Sequence, residues 1–341
     1  MRHRHIVVFA ALIALFLLPS LSLMAQEGTE QLTVYSGRNE ELIGPILQRF
    51  TEATDVQVNV VYGDTAAVAN QILEEGQNSP ADVYIAQDAG SLGALAGAGL
   101  LAPLPSDVTE RVENTAFVSP ENLWVGLSGR ARVLVYNPVR VEELGLELPA
   151  SILDLTGEQY RGLVGWAPTN ASFQSQVTAL RVLLGEDAAQ EWLTGMVANE
   201  TVPYEGNTQL NEAVINGEVV FGLTNHYYMF RFLAENPDAT IAQHFFPAGD
   251  PGSLINVAGA GVLATSDQKG LAQRLILYLL GTEAQTYFAQ ETNEYPLVAG
   301  VESNSLLTPL SEIEAPQIDL SNLSDLQTTL EMIEESGALD G

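Results

Sequence analysis

Two kinds of apolar periodicity alternate along this chain, and that alternation restricts its fold more than any other feature. Val56, Val58 and Val60 interleave with Gln57 and Asn59, the period of two expected of a half-buried strand. Just before them, Leu42, Ile43, Ile46, Leu47 and Phe50 recur at the spacing of one helix face. The same succession continues: strand-like runs at 32–35 and 83–86, helix-like runs at 66–73 and at 91–96, the last stopped by Gly97 or Gly99. Further strands are expected at 132–136, 162–166, 219–223 and 261–264, and helices at 271–280 and 283–290. Repeated strand–helix–strand units imply an α/β fold whose mostly parallel sheets carry helices on both faces.

With 341 residues, the chain is long enough for two domains. It has neither an internal repeat nor a low-complexity linker, so the chain is expected to cross between its domains more than once, leaving a cleft as the ligand site. The acidic stretch 311–341 keeps spaced leucines and isoleucines and reads as a packed terminal helical region. At the other end, Arg2 and Arg4 precede an almost wholly apolar run at 6–18, then Pro19 and small residues up to Ala25. That order is a secretory signal peptide at 1–25 with cleavage expected after Ala25, which puts the protein outside the cytoplasm, secreted or periplasmic.

Charge and cysteine content narrow the function. The formal net charge is −30 and Lys269 is the single lysine, which argues against nucleic acid as a partner, because phosphate neutralisation needs clustered cations. With no cysteine there is no disulfide, no thiolate metal site and no lipid-accepting residue. Any metal must be held by oxygen or imidazole. A hydrolase is disfavoured too: the chain has no Gly-x-Ser-x-Gly elbow and no His-Glu-x-x-His motif, and Glu74 and Glu75, being consecutive on a helix, do not face each other. No enzyme activity is expected.

The run from Thr224 to Arg231 carries the most specific chemistry. In a continuing strand Tyr227 and Tyr228 would point to opposite faces, whereas in a loop or the first turn of a helix they could bracket one ion. Phenol oxygens ionise near pH ~10 unless a strong cation displaces the proton, and hard anionic oxygens suit a hard cation such as Fe(III). Adjacent tyrosines also serve as half-buried packing residues, and the pair alone leaves both readings open. A second feature is the segment 168–173, which leaves a strand and enters a helical pattern. The N–H groups of Asn170, Ala171 and Ser172 could face an anion there, with Arg38 adding a charge-assisted bond, or Thr169 or Asn170 could simply cap the helix. His226 and His244 read as packed or surface residues.

Taken together, the runs Val34 to Glu40, Ala81 to Asp88, Trp166 to Phe173, Thr224 to Arg231 and Glu294 to Leu297 stand in an order that resembles the periplasmic ferric-ion-binding proteins feeding ABC-type iron importers. The resemblance extends from about 32 to 336. It implies a two-lobed, type II periplasmic-binding-protein fold with crossing hinge strands: an N-terminal lobe from 31–128 plus 255–300, a C-terminal lobe from 129–254, and 301–341 packed on the lobes. It also implies a monomer that closes on ferric ion, with Tyr227 and Tyr228 as ligands and carbonate or phosphate as a synergistic anion, and delivers the ion to an importer permease. Asn207 and Asn225 match anion-binding positions. Asn39 stands where many members have a histidine and Gln87 where some have a glutamate, so Glu40, Gln87 or Asp88, an exogenous anion or water would complete the sphere. The same fold could instead serve an organic solute such as a phosphate ester, polyamine or thiamine-like compound, stacked on the tyrosines.

Overall fold

The computed structural model describes residues 30–340, so the signal peptide expected at 1–25 lies outside the described residues. The chain starts with β1 (Gln31–Ser36), α1 (Glu40–Thr54), β2 (Gln57–Tyr62), α2 (Thr65–Glu75) and β3 (Val83–Ala86). Next come α3 (Ala89–Gly97), β4 (Leu101–Ala102) and α4 (Ser106–Thr109). A long strand, β5 (Val125–Tyr136), leads into the second lobe, built from α5 (Pro138–Leu144), β6 (Val164–Trp166), α6 (Ala171–Leu184), α7 (Glu186–Ala198) and β7 (Val202–Pro203). That lobe continues with α8 (Asn207–Asn216), β8 (Phe221–Asn225), α9 (Tyr227–Glu235) and β9 (Ala242–His244). The return strand β10 (Ile255–Leu263) brings back α10 (Lys269–Leu279) and α11 (Thr282–Gln290) to the first lobe, and α12 (Leu326–Glu335) lies near the C-terminus.

The sheet order is β2-β1-β3-β10-β5-β8-β6-β7, with β4 on β10 and β9 on β5. Within each lobe the strands β1, β2 and β3, or β6, β7 and β8, pair in parallel, as their strand–helix–strand connections require. The two long strands β5 and β10 run antiparallel to each other and to their lobe neighbours β3 and β8. They are the crossing strands, and their register slips between Ala258 and Gly259, where a bulge locally increases twist.

Periodicity located most of these elements. Leu42, Ile43, Ile46, Leu47 and Phe50 are the buried face of α1, and Asp55 ends that helix in the left-handed conformation at φ 59°. The crossing strands are longer than their apolar patterns: β5 begins at Val125, not 132, and β10 at Ile255, not 261. In both, polar residues and glycines at the lobe junction interrupt the apolar signal. Leu32, Phe50, Val83 and Trp124 share one core with Val257, Leu275 and Phe288, and Leu320 and Leu323 join them from the tail. Trp166, Phe173, Trp192 and Phe221 centre a second core, which takes in Met332 and Ile333 of α12. The acidic tail therefore packs on both lobes.

Candidate metal centre

Strand β8 ends at Asn225, and His226 already has helical dihedrals, so Tyr227 and Tyr228 occupy the first turn of α9. The two phenol rings consequently lie side by side, 4.6 Å apart and 28° from parallel, rather than on opposite faces of a strand. Both are buried, with Leu42 of α1 packed against them from the other lobe. Gln87, at the end of β3, donates from Nε2 to Tyr227 Oη at 3.0 Å, and Asn225 Nδ2 approaches the same oxygen at 3.4 Å. The Tyr228 phenol is pushed well above its ordinary range, first by burial and then by its neighbour Tyr227.

His226 holds this turn in place without facing the site. Its Nδ1 accepts from Ala131 N–H at 3.1 Å, which leaves Nε2 to donate to Asn293 O at 2.8 Å, and its ring stacks on Tyr295. Burial pulls it down to about 4, so it is neutral at physiological pH, with both nitrogens engaged.

A cavity of about 150 Å³ lies between the lobes, with Gly37, Asn39, Asp64 and Gln87 on one side and Asn170, Ala171, Glu205 and Tyr228 on the other. The helices α1, α3, α6, α8 and α9 all begin around this cleft, and each N-terminus adds a positive field there, opposed by the Asp64 and Glu205 carboxyls that line the cavity. Two arginines reinforce the field. Arg130 and Arg132 alternate on β5, so both side chains leave the same face of the strand, and both are buried. Arg130 Nη1 donates to Ser172 Oγ at 2.8 Å, while its Nε and Nη2 have no protein partner. Arg132 donates to Gln176 Oε1 from Nε and Nη2, at 3.1 and 3.0 Å, and from Nη1 to Asn225 Oδ1 at 3.2 Å. Neither arginine belongs to an ion pair among the described residues. Burial, then repulsion from Arg130, pulls Arg132 down to about 9. Guanidinium groups buried without an ion pair are costly, and they persist where a ligand supplies the negative charge.

The expected site residues fall into two sets. Tyr227, Tyr228, Gln87, Asn225, Asn207 and the segment Asn170, Ala171 and Ser172 come together. Asn170 caps α6 by accepting from Ser172 N–H at 3.0 Å, so that donor is already engaged; the Ser172 hydroxyl instead accepts from Arg130 and Asn225. Asn207 is buried with its amide beside the Tyr228 phenol. Three others are placed differently. Glu40 opens α1 near Tyr62 and lines the grooves outside the cavity, one of them shared with Thr208 and Arg231 of the other lobe. Arg38 is drawn aside by Glu294, at 2.7 Å, and by Ser128, at 3.3 Å. Asp88 caps α3 by accepting from Ser91 N–H at 3.1 Å, and burial, outweighing Arg130, raises its carboxyl above the usual range.

Arg130 and Arg132 were not expected from the sequence, although two arginines at alternate positions leading into an apolar strand are a visible signal. Among the described residues no group of three or more histidines, aspartates and glutamates is arranged to hold a metal, so a metal here would rest on the phenols.

Residues 46–313 match the family model described as bacterial extracellular solute-binding protein. The chain is 35% identical over 309 residues to the major ferric iron-binding protein of Neisseria meningitidis serogroup A, covering 90% of this chain and 92% of that one. To the Fe(3+)-binding periplasmic protein of Serratia marcescens it is 31% identical over 332 residues, covering 96% and 97%. The iron-bound structure of HitA from Pseudomonas aeruginosa superposes with a TM-score of 0.86 at 33% identity, covering 90% of this chain and 99% of that one. These relatives are binding proteins, not enzymes.

Proposed function

Because the chain belongs to the bacterial extracellular solute-binding protein family and stands beside its ferric-ion-binding members, we propose that it is an extracytoplasmic receptor closing on Fe(III) together with an anion and handing the ion to an ABC importer. The observation that carries this reading is the pairing of two stacked phenols with two buried arginines that form no ion pair. Phenolates from Tyr227 and Tyr228 neutralise part of the ferric charge. Arg130, Ser172, Asn225 and the start of α6 suit an oxyanion, carbonate or phosphate, that shares the ion with the tyrosines. Gln87 closes the site from the other lobe through Tyr227. No helix among the described residues is long and apolar enough to cross a membrane.

The test is direct. Metal-stripped protein mixed with ferric citrate should develop a visible phenolate-to-iron charge-transfer band, and its melting temperature should rise with iron by mass action. A protein that stays colourless with phosphate, carbonate and citrate all present, and whose melting temperature ignores iron, overturns the reading and directs the search to organic solutes.

At the cavity mouth, Arg231 lies one turn beyond the tyrosines on α9 and donates to Glu41 of α1 at 2.9 Å, tying the lobes together. Glu41 is largely exposed and Arg231 half-buried, so the pair is a weak latch. Glu41→Gln is expected to speed iron loss to a competing chelator by only about twofold to fivefold, a difference that fades at high salt. Stopped-flow decay of the colour at two ionic strengths measures it.

A further inference from the structure

Two helices from opposite lobes begin at the cavity: α3, capped by Asp88 directly after Gln87, and α6, capped by Asn170. Away from the cavity the same two helices are joined by one stretch of the tail. Leu320 and Leu323 sit in a short helical turn whose side chains enter the first core. Its backbone runs so close to α3 that a Cβ on Gly90 would lie 2.5 Å from Leu323 O, and one on Gly93 would lie 2.9 Å from Ser324 Cβ. The next residue, Asp325, turns the chain onto α6. Its carboxylate accepts from Arg181 Nη2 at 2.7 Å and its carbonyl from Nη1 at 2.8 Å. Arg181 is 8% exposed and stands ten residues beyond Ala171, about 15 Å along the helix at 1.5 Å per residue. Thr329 of α12 then meets Thr178 of α6 at 2.7 Å, and Met332 and Ile333 enter the second core.

A tail that served only to cover apolar surface could lie on one lobe. This one grips both, through glycines on α3 and a buried guanidinium on α6. We propose that residues 320–335 form a clasp that fixes the angle between α3 and α6, with Gly93 and the Arg181–Asp325 pair as positioning residues for the site. Any opening that separates the two helices along this flank must strip the turn from α3 or break the Arg181–Asp325 contact. The clasp therefore limits how far the metal-free protein opens and slows ligand escape. Its iron readout rests on the ferric-receptor reading; its geometric readout does not.

The experiment uses the full chain, whose lack of cysteine lets spin labels be placed at Ala67→Cys and Gln209→Cys, exposed positions on either side of the cleft mouth. Gly93→Ala adds a methyl group that the clasp must yield to, although alanine is the better helix former. Gly97→Ala on the same helix, where a Cβ meets nothing within 4 Å, is the control. Gly93→Ala should shift the metal-free label-to-label distances to longer values and speed iron loss to a chelator about tenfold, the effect of a population shift of similar size. Gly97→Ala should match the parent in both. Asp325→Asn, which keeps a capping side chain for Thr328 but weakens the bond to Arg181, should move both readouts the same way by a smaller amount, and it preserves the test should Gly93→Ala fold poorly. Unchanged distances in both variants, or an equal shift in Gly97→Ala, overturns the clasp. Longer distances in a protein that never takes up iron uphold the clasp and overturn the ferric reading instead.

Discussion

Tyr228→Phe weakens and shifts the visible band, leaving only the contribution of the Tyr227 phenolate, and weakens iron binding by roughly a hundredfold to a few thousandfold, the range expected when one partner of a buried charge pair worth about 3–5 kcal/mol is removed. The substitution deletes one oxygen and leaves the ring, its stacking on Tyr227 and its contact with Leu42 in place, so the fold should not register the change. Tyr227→Phe should cost as much, and it also leaves the Gln87 donor without its acceptor. Each phenol that becomes a ligand gives up its proton, so iron uptake by the parent protein should release protons and weaken as pH falls, by up to about a hundredfold per unit when two protons are exchanged. Because Tyr228 holds its proton to high pH, acid favours the metal-free form. Each tyrosine variant should lose about one proton of that dependence. Equilibrium titrations against citrate at several pH values measure all three quantities. A variant that keeps the parent's colour and affinity would remove that tyrosine from the ligand set.

The second large effect concerns Arg130 and carries an unusual pair of signs. Arg130→Gln should weaken iron binding by roughly tenfold to a hundredfold, since a hydrogen bond to a charged group is worth about 1.5–3 kcal/mol. The loss should appear as a higher anion concentration needed for full colour, because the residue's free Nε and Nη2 are the groups offered to the anion. In the metal-free protein the same change should leave the melting temperature unaltered or raise it, since it removes a buried cation that repels Arg132 and whose neighbouring carboxyl, Asp88, burial already holds toward the neutral form. Most buried residues, when replaced, destabilise. A fall in metal-free stability with unchanged anion dependence would mean that Arg130 is structural.

Much of this was legible from residue order. The spacing of Leu42 to Phe50 located α1, and the question of which backbone Tyr227 and Tyr228 adopt was already posed as strand against first helical turn. Strand β8 resolves it, because the strand stops at Asn225 and the next residue turns helical. The crossing strands were only half visible, since Ser128, Gly129 and Arg130 read as a polar interruption when taken singly, whereas in the sheet they lie on the buried inner edge of both lobes. The partners of Arg38 and Asp88 could not be read at all. Glu294 lies 256 residues from Arg38 in the chain, and only the return of the chain through β10 and α11 brings it near.

The route of the chain carries a consequence for how the protein is made. The backbone enters the second lobe in β5, leaves it in β10, lays Tyr295 back against Gly129, and later anchors Leu320 and Met332 on opposite cores. The first lobe is made of separate stretches of sequence and the second takes Met332 and Ile333 from the tail, so neither core is complete before residues 320–333 have emerged. High contact order of this kind slows folding and favours loss of both lobes in one cooperative transition.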